Sequence, residues 1–172
     1  SFANYFDPER VHFGALRVLN DDYVAAGEGF GKHPHDNMEI ISIPLSGELK
    51  HGDSMGNTTV IKEGEVQVMS AGTGIIHSEM NNRTDMAVQF LQIWIFPDKK
   101  NVMPRYDQKL IDKESVTNRL GEIVSPNEGE EGVWINQQAW FYLGEFSDNQ
   151  TIEYLTKNRE NGIYIFLLEG EA

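Results

Sequence analysis

Lys32-His33-Pro34-His35-Asp36-Asn37-Met38-Glu39 and its distant counterpart His77-Ser78-Glu79 constrain this chain more than any other feature. Residues i and i+2 of an extended strand point to one face. His33 with His35, and His77 with Glu79, can therefore each converge on a point. Three of the chain's 5 histidines fall in these two short stretches. Neutral imidazole with carboxylate suits a borderline divalent ion such as Fe, Mn, Ni, Cu or Zn. Three nitrogens and one oxygen leave a coordination position open, as a site that admits a substrate requires.

The surroundings point to an all-β fold. Apolar runs at Met38–Leu45 and Ala87–Phe96 read as buried strands, and shorter strands and turns alternate between them. That spacing fits an antiparallel sandwich or barrel. Gly27, Gly29 and Gly31 run into His-Pro-His rather than a helix, so they form no phosphate loop. From Asp98 to Leu120 charges cluster and Pro104 interrupts; Asp112–Leu120 can form one short helix. A second strand-rich block follows, with expected strands at Thr151–Leu155 and Ile163–Leu168, and Asn127–Gly132 reads as a solvated loop. Trp134 and Trp140 are expected in the core.

With 172 residues the chain can bury roughly two-thirds of its surface. A net charge of −13 with 14 scattered Lys and Arg argues against a basic nucleic-acid patch. There is no cysteine, hence no disulfide or thiolate site. No apolar run reaches the twenty or so residues of a membrane span, and no signal peptide is read. The lack of cysteine fits a cytoplasmic protein. The sequons at Asn57, Asn82 and Asn149 read as chance.

The motifs resemble those of the cupins, and more narrowly of the pirin family of bicupins. Gly27, His33, His35, Glu39 and Gly47 are similar to the first cupin motif; Gly64, Gly72, His77 and Asn81 are similar to the second. His-Pro-His and the later Gly72-Thr73-Gly74-Ile75-Ile76-His77-Ser78-Glu79-Met80 look pirin-like. The resemblance runs from Phe2-Ala3-Asn4-Tyr5 through Pro104-Arg105-Tyr106. It implies a double-stranded β-helix (a jelly-roll barrel) with a metal-binding cupin domain at residues 1–100, a linker at 101–119, and a partial second cupin at 120–172. It also implies one metal, foremost Fe(II), held by His33, His35, His77 and Glu79. The implied activity is that of a quercetin 2,3-dioxygenase, with a flavonol-like aromatic and dioxygen as substrates and Glu79 as proton acceptor. The alternative is a metal-dependent regulatory protein acting through a protein partner, as transcriptional co-regulators do, without direct nucleic-acid contact.

Glu39 is expected beside the ligands, hydrogen-bonded to one of the histidines. Asp36 and Asn37 are expected at the mouth of the site, Gln92 and Trp94 toward the pocket or core, and the lone His12 and His51 outside the chemistry. Laying the chain's end on its first motif places Thr156 and Asn158 over His33 and His35, so the second repeat is expected to hold no metal. The same register suggests a fragment of a longer bicupin; standing alone, it would leave Ile163–Leu168 with an unpaired edge and an uncovered apolar face.

Overall fold

Alternation of inward and outward side chains builds two facing sheets, to which the second block adds a third of three short strands, and a computed structural model describes residues 7–10, 12–147 and 149–171. The Phe2-Ala3-Asn4-Tyr5 stretch, where the family resemblance begins, lies outside them. In chain order the strands are β1 (Leu16–Val24), β2 (Gly29–His35), β3 (Glu39–Ser46), β4 (Glu48–Asp53), β5 (Thr58–Lys62), β6 (Glu65–Ser70), β7 (Ile75–Asn81), β8 (Val88–Ile95), β9 (Arg105–Leu110), β10 (Gly121–Ser125), β11 (Val133–Trp134) and β12 (Phe141–Leu143). One sheet runs β1-β8-β3-β6-β9, and a second runs β2-β7-β4-β5. Every pairing within these two is antiparallel. This is the double-stranded β-helix of the cupins.

The five-stranded sheet is covered on both faces, which explains why β3 is buried continuously from Glu39 to Pro44 rather than alternating. On its inner face Val88 and Phe90 pack with Leu49 and Ile61 of the opposite sheet, and Ile40 packs with Met69 and Ile75. On its outer face Ile41, Ile43, Val66, Val68, Leu91, Ile93 and Ile95 pack against Ile123, Val124, Val133 and Ile135 of the second block. The two blocks therefore share one core.

Two parts of the sequence reading change here. Arg105–Leu110, inside the expected linker, is β9 and completes the first sheet against β6. Its charged residues alternate along an edge strand and disguise it. The short helix α1 (Lys113–Val116) does fall where expected, capped by Asp112 accepting from the Glu114 amide. Thr151–Leu155 and Ile163–Leu168, expected as strands, form none. A strand exists only through a hydrogen-bonded neighbour, and no ladder forms on either segment among the described residues. The side chains of Ile163 to Leu168 are exposed, Ile165 to 81%. Trp134 and Trp140 are half-buried rather than core. The Trp134 ring serves as a platform for the Arg105 guanidinium, 3.8 Å from its centroid, and its carbonyl accepts from Arg105.

Glu39 is the largest departure. It is buried on the outer face, accepting from Ser70 Oγ at 2.7 Å and from Asn136 Nδ2 at 3.2 Å, and it bonds no ligand histidine. The parity that links it to His35 in sequence is broken at Asn37, whose φ of 45° turns the chain from one sheet to the other. Glu39→Ala should cost about 1–3 kcal/mol by orphaning Ser70 and Asn136. Its metal content should stay that of the wild type, checked by thermal unfolding and elemental analysis.

Candidate metal centre

A bulge in β2 builds the site. Between Phe30, opposite Glu79, and His33, opposite His77, β2 carries one residue more than β7. The extra residue returns His33 and His35 to the inner face that Phe30 also occupies. Gly29 is required just before it, because a Cβ there would lie 2.4 Å from the Glu79 carbonyl oxygen. On β7 the alternation is regular, so Ile75, His77, Glu79 and Asn81 all point inward and are buried.

His33, His35 and His77 converge, each offering a nitrogen within 4.8 Å of the others. Ring centroids stand 4.9 Å apart for His33 and His35, 4.4 Å for His33 and His77, and 5.0 Å for His35 and His77. His33 Nδ1 donates to the Gly31 carbonyl at 2.8 Å, which leaves Nε2 as its lone-pair nitrogen. His35 Nε2 and both nitrogens of His77 are buried with no hydrogen-bond partner among the described residues. Desolvation, then the neighbouring imidazoles, pushes His35 down to about 4 and His77 to about 3. Both rings are held neutral, the form a metal requires. Buried orphan nitrogens are costly unless something binds them, and this donor set fits one first-row transition metal.

Glu79 is not among the three converging groups. Its Oε1 accepts from Ser42 Oγ at 3.1 Å and its Oε2 from Gln92 Nε2 at 2.5 Å, while Ser42 Oγ also lies 3.0 Å from Gln92 Oε1. Ser42 has one hydroxyl proton for two acceptors. A proton on Glu79 Oε1 completes a closed ring: Glu79 to Ser42, Ser42 to Gln92, Gln92 back to Glu79. Full burial raises the Glu79 carboxyl, against the lowering pull of Gln92 and Ser42. The group is therefore one that holds a proton readily.

The remaining candidates divide. Gln92 faces the interior as expected, and Trp94 packs edge-on against His35 at 4.9 Å. Asp36 is exposed beside the ligands, and Asn37 is pinned by its side chain to the Asn101 amide at 2.7 Å. Asn81, part of the second motif, is a strut, its Nδ2 donating to the carbonyls of Val24, Ala25 and Met86. His12 is exposed and stacks on Phe96. His51 is buried inside the barrel, its ring 5.4 Å from that of His77. Read as a lone histidine it gave no signal. The His51-Gly52-Asp53 spacing was the available clue, since i and i+2 share a face there too. Among the described residues no helix is long and apolar enough to cross a membrane.

Comparison with known proteins gives the same outline. The Pirin family model matches residues 1–95, and the model for the quercetinase C-terminal cupin domain matches residues 122–172. A protein of Escherichia coli strain K12 named quercetin 2,3-dioxygenase is 39% identical over all of this chain and 73% of its own length. The crystal structure of YhhW from Escherichia coli superposes with a TM-score of 0.78 at 44% identity, over 83% of this chain and 59% of that one. The bacterial pirin YhhW in complex with nickel(II) superposes at 0.75 with 43% identity, over 83% and 60%. The chain thus spans about three-quarters of the curated relative and six-tenths of the solved chains.

Proposed function

The chain belongs to the pirin family, and from that membership we propose that it is a metal-dependent dioxygenase of the quercetinase type, acting with dioxygen on a flavonol-like phenol. The observation that carries this is the convergence of His33, His35 and His77, with buried nitrogens of His35 and His77 that have no hydrogen-bond partner among the described residues, beside a fully buried carboxyl. His33, His35, His77 and Glu79 are the proposed ligands, and Fe(II) the foremost metal. The nickel(II) complex of a relative supports a first-row ion at such a site. A metal held there supplies Lewis-acid and redox chemistry.

The chain's own residues do the rest. Apolar Met38, Ile40, Met69 and Ile75 form a buried cluster against which Trp94 packs, and Trp94 in turn stands edge-on to His35, keeping water from that side of the site. Glu79, with its raised affinity for a proton, accepts the proton of the substrate hydroxyl on its carboxylate, and Ser42 and Gln92 orient that group. The metal-holding half is assigned to residues 1–100 and extended by β9; residues 120–172 form the second, metal-free half. The separate family matches on either side of residue 100 support that division.

Iron(II)-loaded and nickel(II)-loaded protein, incubated with quercetin under oxygen, should consume the flavonol and release carbon monoxide, with no release from metal-stripped protein. Carbon monoxide no higher than the stripped control with either metal overturns the proposal.

A further inference from the structure

The reading above leaves a buried histidine–aspartate pair unused. His51 Nε2 lies 2.9 Å from Asp53 Oδ2, and both side chains are almost wholly buried. Asp53 also accepts from the Met55 and Asn57 amides and from Asn57 Nδ2. A carboxylate that accepts from this many donors has no proton to offer, so His51 Nε2 must carry the hydrogen. With that hydrogen on Nε2, Nδ1 is the atom that can offer a lone pair, and it is buried without a partner among the described residues.

Its neighbours can be taken in turn. Tyr106 lies 4.7 Å from the ring, but its hydroxyl is engaged by Thr59 and Gln108. Glu79, opposite His51 in the ladder, has its oxygens bonded to Ser42 and Gln92. His77 remains. Its ring is 5.4 Å from that of His51, both its nitrogens are unpartnered, and it sits diagonally across the β4–β7 ladder. That separation admits one hydrogen bond of ordinary length, about 3 Å, between the two rings. A metal-bound imidazole needs an acceptor for its second N–H.

We infer that Asp53 and His51 form the positioning support of His77: with a metal on one nitrogen of His77, the N–H on the other donates to His51 Nδ1. The chain Asp53–His51–His77 then fixes the orientation and tautomer of a ligand that has no other anchor among the described residues. His33 has a separate one in the Gly31 carbonyl. The inference rests on the metal-centre reading and deepens it.

Zinc-loaded protein labelled with ¹⁵N-histidine tests it without any mutation. A ¹⁵N–¹⁵N coupling across the hydrogen bond should join His77 to His51, and the His77 N–H should exchange slowly with solvent. Zinc affinity, measured by chelator competition, should fall about 10- to 100-fold in His51→Leu. It should largely return in His51→Gln, whose side-chain carbonyl is again an acceptor. Zinc bound with no coupling and a fast-exchanging His77 N–H, or with unchanged affinity in His51→Leu, overturns this inference alone. Failure of the wild type to bind zinc, iron(II) or nickel(II) overturns the metal-centre reading with it.

Discussion

His77→Ala should abolish the stabilisation that metal confers while barely changing the metal-free protein. In the metal-free state the His77 imidazole has two buried nitrogens without partners among the described residues. Each such group costs about 1–3 kcal/mol, which offsets much of the packing lost on truncation. With metal the balance reverses. Losing an outer partner alone lowers affinity about 10- to 100-fold, and losing a ligand should exceed the upper figure. Wild-type protein with metal at a hundred times Kd should gain about 2.7 kcal/mol of apparent stability; His77→Ala at the same concentration should gain almost none. His33→Ala and His35→Ala should behave alike, and exposed His12→Ala should match the wild type. Differential scanning calorimetry with and without nickel(II) reads this directly. Equal metal-induced shifts in all four variants would mean the site lies elsewhere.

The histidines were legible because strand periodicity works over two residues: His33 and His35, or His77 and Glu79, share a face whatever happens around them. Parity fails once backbone geometry intervenes. Between His35 and Glu39 stands Asn37 with a left-handed φ, so Glu39 emerges on the opposite side of the sheet. Between Phe30 and His33 the bulge performs the reverse operation, bringing residues three apart onto one face. Neither event has a strong local signature, since Asn and Gly are common in any turn. Burial on two sides was visible in the apolar run of β3, but the partner on the second side, Ile123 to Ile135, lies eighty residues away. The charged β9 and the apolar Ile163–Leu168 mislead in opposite directions for one reason. Strand identity depends on a neighbour's hydrogen bonds more than on the segment's own composition. His51 shows the same limit at the site: its worth comes from Asp53 and His77, which only the ladder brings beside it.

Glu79→Gln separates proton handling from architecture. The amide can replace the acid in the buried ring, its Nε2 donating to Ser42 Oγ, Ser42 donating to Gln92 Oε1, and Gln92 Nε2 donating to the new carbonyl. No buried group is orphaned, so unfolding stability should change by less than about 1 kcal/mol. What disappears is the buried carboxyl that shares the inner face of His77 on its own strand. Removing a positioned general base typically costs 10²–10⁴-fold in rate, and turnover of quercetin should fall by about that factor. Glu39→Gln is the matched control. It is an equally buried carboxyl with a raised pKa, driven by desolvation, but it faces Ser70 and Asn136 on the far side of the sheet. Its kcat should therefore stay at the wild-type value. A larger loss in Glu39→Gln than in Glu79→Gln would return the first-motif glutamate to the metal and reverse the assignment of the two faces.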